Sequence, residues 1–372
     1  MSTNPRIYLD FNATAPLLPA VRVAFAEGLG VVGNPSSIHA EGRAARDLIE
    51  RARNQVAALV GRPREQVVFT SGGTEANALG VARLAQAAVR RGLPRVAVTT
   101  AIEHPSLRAA VAALQRDAWE VRVIDPWSCP DLSGVGLVAM GLVNHELGTL
   151  ADLSGSRGGA LLHVDAVQAA GKLDLATLEA DAIAISAHKL GGPQGVGALI
   201  TQIDDAAHDE PEAGHQERGR RPGTENTLGI VGFGVAAAAA DPATWPAVAA
   251  LGERLELGLR AIEGVRIHGA KTRRIGGTIN AGFSGALGES IVVALDLAGV
   301  AVSTGAACTS GSVKPSPVLL ALGLSEVEAR GAVRFSLGRS TTPQEIDEVL
   351  ALLPPIVKRA RQRRPAGRSA AR

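Results

Sequence analysis

The sequence is poor in cysteine: its 372 residues include only Cys129 and Cys308. Two cysteines exclude a disulfide framework and a metal site built from cysteine alone. No apolar run is long enough to span a bilayer, and the N-terminus lacks the basic, apolar and small-residue regions of a signal peptide. We therefore expect a protein of the reducing cytoplasm, without a membrane segment and without a bound metal.

The sequence also lacks an excess of one charge, with 38 basic residues against 36 acidic ones. Seven of the basic residues lie within the last fifteen positions, so the rest of the chain is mildly acidic. A basic tail can bind nucleic acid, but no aromatic residue is interleaved with these charges. Residues 363–372 are predicted to be a disordered, solubilising tail, and nucleic-acid binding is not expected.

Apolar residues are plentiful, at 46% of the composition, and the length exceeds that of a single typical core. Short apolar runs, most of them separated by helical patterns, predict an α/β fold with a largely parallel sheet buried on both faces. These runs are 67–70, 95–100, 120–125, 136–144, 160–165, 181–186 and 197–201. Later residues mix shorter strands and helices. We place a large domain at 15–255 and a smaller α+β domain at 1–14 and 256–362.

Two of these runs end in polar groups that suggest a cofactor. The motif HVDAVQ puts Asp165 at the end of one run, and SAHK puts Lys189 just after the next. Ligands of parallel α/β proteins bind at the carboxyl ends of strands. Pyridoxal phosphate (PLP) requires a lysine for its Schiff base and a carboxylate for its pyridinium nitrogen. Taken singly, Asp165 could instead cap a helix and Lys189 could lie on the surface.

The segment SGGTE (71–75) joins a predicted strand to a long helix through two glycines. Backbone N–H groups at such a helix start, here Gly73 with the Thr74 hydroxyl, bind phosphate well. The glycine spacing fits neither a Walker loop nor a dinucleotide fingerprint. Ser186 and His188 could donate hydrogen bonds to the same phosphate. The alternative is a plain turn in which Thr74 caps the helix.

Three further residues are candidates for chemistry. His104 closes a predicted strand before Pro105, where it could stack on a cofactor, act as a general base or simply begin a helix. Arg334 lies in the strand-like VRFSL, so it must form a salt bridge or bind a ligand carboxylate. Cys308 lies in a Ser/Thr/Gly/Ala-rich stretch that predicts an exposed loop, and an exposed cysteine is typical of a reactive thiol. Cys129, in the turn WSCPD, is taken as incidental.

Taken in order, these residues resemble the cysteine desulfurases of the NifS/IscS type, in the class V aminotransferase group of fold-type I PLP enzymes. The resemblance runs from Ile7 to Arg361. The matching motifs are LDFNATAP (9–16), GNPSSIH (33–39), TSGGTEAN (70–77), EH (103–104), HVDAVQ (163–168), SAHK (186–189), ERGRRPGTEN (217–226), GAACTSG (305–311) and RFSLGR (334–339).

The resemblance implies a large domain with a mostly parallel seven-stranded sheet, a smaller α+β domain and a role for each matching residue. Lys189 would form the Schiff base with PLP, and Asp165 would pair with the pyridinium nitrogen. Gln168 would contact the phenolic oxygen, and His104 would stack on the ring. The phosphate would be held by Gly73, Thr74, Ser186 and His188, with Thr224 reaching in from the other subunit of a homodimer.

The resemblance also implies the reaction. L-cysteine would be bound through its carboxylate by Arg334, helped by Asn34, and converted to L-alanine. Cys308 would take the sulfur as a persulfide and deliver it to an acceptor protein in iron–sulfur cluster assembly or tRNA thiolation.

The sequence departs from the family pattern in three places. His145 stands where the family has an asparagine that contacts the phenolic oxygen, so either His145 makes that contact or the contact is absent. We hypothesise that the His145 imidazole makes it. The stretches 125–137 and 150–160 are shorter than in relatives, and the basic tail replaces a longer C-terminal segment.

These departures leave alternatives open. The pocket motifs do not separate a cysteine desulfurase from a selenocysteine lyase. An aminotransferase or kynureninase of the same class needs no thiol at Cys308. A catalytically weak paralogue with a regulatory role is a third reading.

Overall fold

The computed structural model describes residues 6–127, 132–153, 157–203, 214–304 and 314–362. Its strands, numbered along the chain, are β1 Ile7–Tyr8, β2 Val67–Thr70, β3 Val96–Thr100, β4 Glu120–Ile124, β5 Leu137–Gly141, β6 Leu161–Asp165, β7 Ala182–Ser186, β8 Gly197–Thr201, β9 Val265–His268, β10 Thr278–Phe283, β11 Val300–Ala301 and β12 Ala332–Ser336. Its α-helices are α1 Pro19–Gly28, α2 Ala40–Val60, α3 Gly73–Arg90, α4 Pro105–Ala113, α5 Thr227–Ala238, α6 Trp245–Arg260, α7 Gly288–Leu297, α8 Pro317–Ala321, α9 Glu326–Arg330 and α10 Pro343–Gln362.

The chain divides into two compact units. The large unit comprises residues 14–144 and 151–243, and the small unit comprises residues 1–13, 145–150 and 244–372. The domain boundary drawn at 255 from the sequence lies inside α6, which belongs wholly to the small unit. The short segment 145–150 also belongs to the small unit, although its neighbours on both sides lie in the large one.

The large unit is built on a seven-stranded sheet in the order β2-β8-β7-β6-β5-β3-β4. Strands β4, β3, β5, β6 and β7 pair in parallel, whereas β8 is antiparallel to both of its neighbours. Strand β2 therefore points the same way as β7, and only β8 runs in the opposite direction. The carboxyl ends of the other six strands share one edge, which is where parallel sheets place ligands.

The register brings particular residues to one level of that edge. Asp165 pairs with Gly141 of β5 and with Ala184 of β7. At the β8 end, Gly197 pairs with both Ser186 and Thr70. The turn after β2 therefore lies beside the end of β7.

Helix α3 covers one face of the sheet, because small and apolar side chains such as Ala76, Val81 and Leu84 recur on one side of it and are buried. It begins directly after Gly72, whose φ of 155° favours glycine. Its packing against β6, β7 and β8 forms the main core of the unit.

The outer edge of β2 is closed by charged side chains instead of another strand. Glu217 accepts a hydrogen bond from the backbone N–H of Phe69 (2.8 Å), and Arg53 donates to the carbonyl of Val67 (2.9 Å). Glu217 and Arg53 also form a buried ion pair at 2.7 Å. Capping of this kind prevents an edge strand from pairing with another chain.

The small unit contains a three-stranded antiparallel sheet in the order β12-β10-β9 and a parallel pair, β1-β11. Isolated bridges join Asp10 to Ser336 and Ser303 to Arg334, so both small sheets meet at β12. Helices α6 and α7 pack against α10.

The predicted fold class is confirmed. Each of the seven apolar runs is a strand of the large sheet, and the run 136–144 ends early, at Gly141. The described parts of 125–137 and 150–160 contain no helix. Within the described residues, no single helix has the length and apolarity to cross a membrane, although α5 and Pro242–Arg260 meet both criteria together as a pair bent by 56°. The same residues contain no group of three side chains placed to bind a metal ion.

Candidate active site

Asp165 ends β6 at the ligand-binding edge of the large sheet and is 8% exposed. Its Oδ1 accepts a hydrogen bond from the backbone N–H of Val167 (3.0 Å), and its Oδ2 accepts one from Asn77 Nδ2 on α3 (2.7 Å). Two donors fix the plane of the carboxyl group and stabilise its charge. The remaining oxygen lone pairs are available to a ligand N–H.

His104 is the N-cap of α4, in agreement with the prediction that it begins a helix. Its Nδ1 accepts from the backbone N–H of Ser106 (3.2 Å), and Pro105 occupies the first helical position. The Ser106 hydroxyl lies 2.7 Å from the same nitrogen. Desolvation lowers the pKa of His104, with Lys189 acting in the same direction and Asp165 in the opposite one. The three ionisable groups therefore interact across one site.

Glu103 is a buried carboxyl group next to this site. Its Oε1 accepts from the Thr100 hydroxyl (2.6 Å), and its Oε2 accepts from the backbone N–H of Gly141 (2.7 Å). A Cβ at Gly141 would lie 2.7 Å from Oε2, so the close approach depends on glycine. Burial raises the pKa of Glu103 to about 7, and the charge of Asp165 acts in the same direction.

Lys189 and His188 lie in the short 3-10 turn that follows β7, and both are half-buried. His188 Nδ1 is 3.2 Å from the Thr14 hydroxyl. Burial, followed by the Lys189 charge, lowers the pKa of His188 to about 4. The imidazole is therefore neutral at physiological pH and can offer one N–H donor to a ligand.

The turn before α3 has the form of a phosphate site. The helix start has no side-chain cap on Gly72, and a Cβ on Gly72 would meet open space. A Cβ on Gly73 would lie 3.6 Å from the Cβ of Ser186. Thr74 is exposed in the first turn of the helix. Uncapped N–H groups and the helix dipole favour an anion at this position.

Two other predicted cofactor contacts lie in the large unit. Gln168 is buried, and its Oε1 accepts a hydrogen bond from Lys172 Nζ (3.1 Å). This contact orients the amide group, so its nitrogen points away from Lys172 and can donate to another group. Thr224 is exposed on the segment between Glu217 and α5. Asn34, predicted to assist substrate binding, is also exposed, and its Oδ1 accepts from the backbone N–H of Ser36 (2.9 Å).

Arg334 and His145 belong to the small unit. Arg334 is 5% exposed and donates through Nη2 to Asp10 (2.8 Å) and through Nη1 to the His145 carbonyl (3.1 Å). Its Nε is buried without a hydrogen-bond partner among the described residues. The salt bridge considered from the sequence is thus present, and it leaves part of the guanidinium donor set for a ligand. The His145 ring lies 3.7 Å from Glu146.

The predicted nucleophile, Cys308, lies outside the described residues, as does Cys129. The positions flanking the Cys308 segment are described. Ser303 exchanges backbone hydrogen bonds with Arg334, and Ser316 donates to the buried Glu146 (2.6 Å). Burial raises the pKa of Glu146, although the Ser316 hydroxyl and the Arg334 charge act in the opposite direction.

Sequence reasoning missed the residues that support Asp165 and His104, namely Asn77, Ser106 and His163, and it also missed the buried Glu103 beside them. Three of them belong to the quoted motifs TSGGTEAN, EH and HVDAVQ. Periodicity could have found His163, since it lies two positions before Asp165 in a strand and shares its face.

Comparison with known proteins identifies the family of the chain. A family model of class-V aminotransferases matches residues 7–349. A cysteine desulfurase of Cereibacter sphaeroides is 39% identical over 97% of this chain and 98% of its own length. A solved NifS-like protein is 28% identical with a TM-score of 0.84, covering 95% of this chain and 99% of that one. The structure of SspA in complex with cysteine is 26% identical with a TM-score of 0.75, covering 90% of this chain and all of the other. The predicted family is confirmed: the chain belongs to the class-V aminotransferases.

Proposed function

We propose that the protein is a PLP-dependent cysteine desulfurase, which converts L-cysteine to L-alanine and takes the sulfur onto Cys308. The observation that carries the proposal is the position of Asp165, His104 and Lys189 at or just after the carboxyl ends of β6, β3 and β7, on the edge of the sheet that also holds an uncapped helix start. The names of the cysteine desulfurase relative and of the cysteine-bound structure support the choice of substrate.

The residues of the large unit fit PLP. Asp165 has a carboxylate held by two donors and can accept a pyridinium N–H. Gly73 and Thr74 begin an uncapped helix that suits a phosphate, and Ser186 lies beside it. His188 and Thr224 of a second subunit would be additional donors. Gln168 accepts a hydrogen bond from Lys172 on its amide oxygen, and its amide nitrogen would donate to the phenolic oxygen.

When bound, PLP supplies a sink for the electron pair left at the substrate Cα. Asp165 would accept a hydrogen bond from the protonated ring nitrogen, and the His104 ring would stack on the cofactor. Lys189 takes the Cα proton of the substrate and later returns a proton, which makes it the general base of the reaction. Arg334 and Asn34 bind the substrate carboxylate and so orient the Cα–H bond.

Sulfur transfer needs a nucleophile, and Cys308 is the residue we assign to it. Its thiolate attacks the substrate sulfur while the Cβ–S bond breaks; Cβ gains a proton, and Cys308 becomes a persulfide. L-cysteine and one thiol thus give L-alanine and one persulfide, with no other oxidant or reductant. The persulfide would pass to an acceptor protein of iron–sulfur cluster assembly or tRNA thiolation in the cytoplasm, from a homodimeric enzyme.

The test uses purified protein incubated with L-cysteine. We expect a yellow protein, alanine formation and, after borohydride reduction, a pyridoxyl group mapped to Lys189. Cys308→Ser should retain PLP but form no persulfide, whereas Cys129→Ser should behave like the wild type. A pyridoxyl group on a different lysine would contradict the assignment of Lys189, and undiminished persulfide formation by Cys308→Ser would contradict that of Cys308.

Two alternatives are decided by the same preparation. Faster turnover of L-selenocysteine than of L-cysteine would identify a selenocysteine lyase. Protein that binds no PLP would favour a paralogue without catalysis.

A further inference from the structure

Two buried side chains outside the proposed chemistry lie directly behind Asp165. Asn77, on α3, is 1% exposed, and His163, on β6, is fully buried. Asn77 Nδ2 donates to Asp165 Oδ2 (2.7 Å) and to Ser106 Oγ (3.1 Å), while its Oδ1 is 2.9 Å from His163 Nε2. One amide group therefore contacts three other side chains.

The chemistry of these groups fixes the direction of each hydrogen bond. An ionised carboxylate only accepts, so the nitrogen of the Asn77 amide must face Asp165 and its oxygen must face His163. His163 must then carry its proton on Nε2. Its Nδ1 is buried and has no partner in the described part of the chain, and burial lowers the pKa of His163 to about 3. The ring is neutral, with a single possible tautomer.

The backbone of α3 holds that ring in place. A Cβ on Gly80 would lie 2.5 Å from both Cε1 and Nδ1 of His163, so the ring packs directly on the helix. Gly80 and Asn77 are three positions apart and share a helix face, while His163 and Asp165 share a face of β6. This close packing on α3 restricts the rotation of the ring.

Asn77 is also connected to His104, through the hydroxyl of Ser106. Ser106 Oγ accepts from Asn77, so its own proton is directed to His104 Nδ1, 2.7 Å away. That nitrogen also accepts from the Ser106 backbone. The proton of neutral His104 therefore lies on Nε2.

We propose that His163 and Asn77 are positioning residues: His163 fixes the orientation of the Asn77 amide, and Asn77 aligns Asp165 and, through Ser106, His104. The proposal rests on the proposed function, because PLP chemistry gives Asp165 and His104 their roles. Loss of the His163 hydrogen bond frees the Asn77 amide to turn, and both contacts to the cofactor then lose alignment together.

The test compares His163→Phe with His163→Gln in the holoenzyme. His163→Phe removes the donor, and we expect the dissociation constant of PLP to rise about tenfold, the size expected for one lost buried hydrogen bond. The pH midpoint of the visible absorbance of bound PLP should shift as well. His163→Gln can still donate to Asn77 Oδ1 and should restore both quantities to near the wild-type values.

Two further variants separate positioning from packing. His268→Phe removes another buried imidazole, in the small unit, and should leave the absorbance midpoint unchanged. Ser106→Ala removes only the connection from Asn77 to His104, so it should retain PLP affinity and change the pH profile of turnover. An unchanged pH profile would overturn the proposed role of Ser106, even if His163→Phe does not fold.

A failure of the proposed function can be distinguished from a failure of the positioning role of His163. Wild-type protein without PLP would overturn the proposed function and this inference together. Wild-type protein that binds PLP and makes alanine, with His163→Phe equal to it or with no recovery in His163→Gln, would overturn the inference alone.

Discussion

Buried ionisable residues in this protein are stabilised in different protonation states by their immediate neighbours. Asp165 receives one donor on each oxygen and functions as an anion in the proposed chemistry. His163 has one acceptor and is held neutral. Glu103 also receives two donors, yet its deep burial outweighs them and favours the protonated acid. Desolvation thus decides the protonation state of both Glu103 and His163.

Glu103→Gln should change how stability depends on pH. The pKa of Glu103 is raised from 4.5 to about 7 in the folded protein, so its stabilising contribution is fully present below pH 4.5. That contribution is lost between pH 4.5 and 7, where the unfolded chain ionises first, and the total loss is about 3 kcal/mol. The neutral amide avoids the loss, so urea unfolding should find the variant as stable as the wild type near pH 4.5 and more stable at pH 8.

The control for this measurement is Glu253→Gln, at an exposed position, whose stability curve should run parallel to that of the wild type. Parallel curves for Glu103→Gln would show that Glu103 is ionised in the folded state or that its burial is relieved.

At the residue scale, the groups that the sequence predicted were those at strand ends. Asp165 and Lys189 each follow a recognisable apolar run, so position along the chain was enough to find them. Asn77 lies within a helix and Ser106 in the first turn of another, and their roles arise only when α3 and α4 pack together. Such contacts between distant segments leave no local pattern in a sequence.

Among the elements, β8 determines how the large sheet is completed. It inserts antiparallel between β7 and β2 and brings Gly197 opposite both Ser186 and Thr70. The apolar run GALIT predicted a strand, but an apolar run reads alike in either direction, so its orientation could not be predicted. The sequence analysis also did not predict the five-residue α9, because so short a helix has no periodicity. The capping box of Ser325 and Glu328 stabilises it.

The Arg53–Glu217 ion pair joins three elements: α2, β2 and the segment before α5. Glu217→Gln leaves Arg53 buried beside a single carboxylate, Glu50. We expect the free energy of unfolding to fall by about 3 kcal/mol, the lower end of the range for breaking a buried ion pair, because Glu50 still compensates part of the charge.

Chemical denaturation measures this loss, and Glu65→Gln is the matched control. Glu65 pairs with Arg64 at the surface, and its removal should have no measurable effect. Equal stabilities of Glu217→Gln and Glu65→Gln would show that the buried pair contributes nothing beyond a surface pair.

For the whole molecule, exposed apolar residues are unevenly distributed. Six of the fifteen large hydrophobic residues exposed in the described part of the chain lie between 17 and 38, including Leu29, Val32 and Ile38. Beside them, α1, α2 and α5 line a groove of about 330 Å³. Exposed apolar side chains concentrated in one stretch of a chain favour a protein interface, and we expect a second copy of this chain to bind there, in line with the homodimer predicted from the sequence.

Leu29→Lys combined with Val32→Lys should therefore convert the protein from dimer to monomer, as measured by light scattering. The charges would be buried unpaired in the interface. Leu297→Lys, equally exposed but in the small unit, should leave the mass at twice that of one chain. A monomeric wild type would contradict the homodimer, and a dimeric double variant would place its interface elsewhere.

The position of β2 in the sheet also affects the nascent chain during translation. This strand ends at residue 70, but β8, its only strand partner among the described residues, begins at residue 197. The side chain of Glu217, which covers the other edge of β2, comes later still. At a translation rate of about 5–20 residues per second, roughly 6–25 s separate the synthesis of β2 and β8. During that interval a nascent chain exposes an unpaired apolar strand, so ribosomes stalled before residue 197 should carry a product that aggregates.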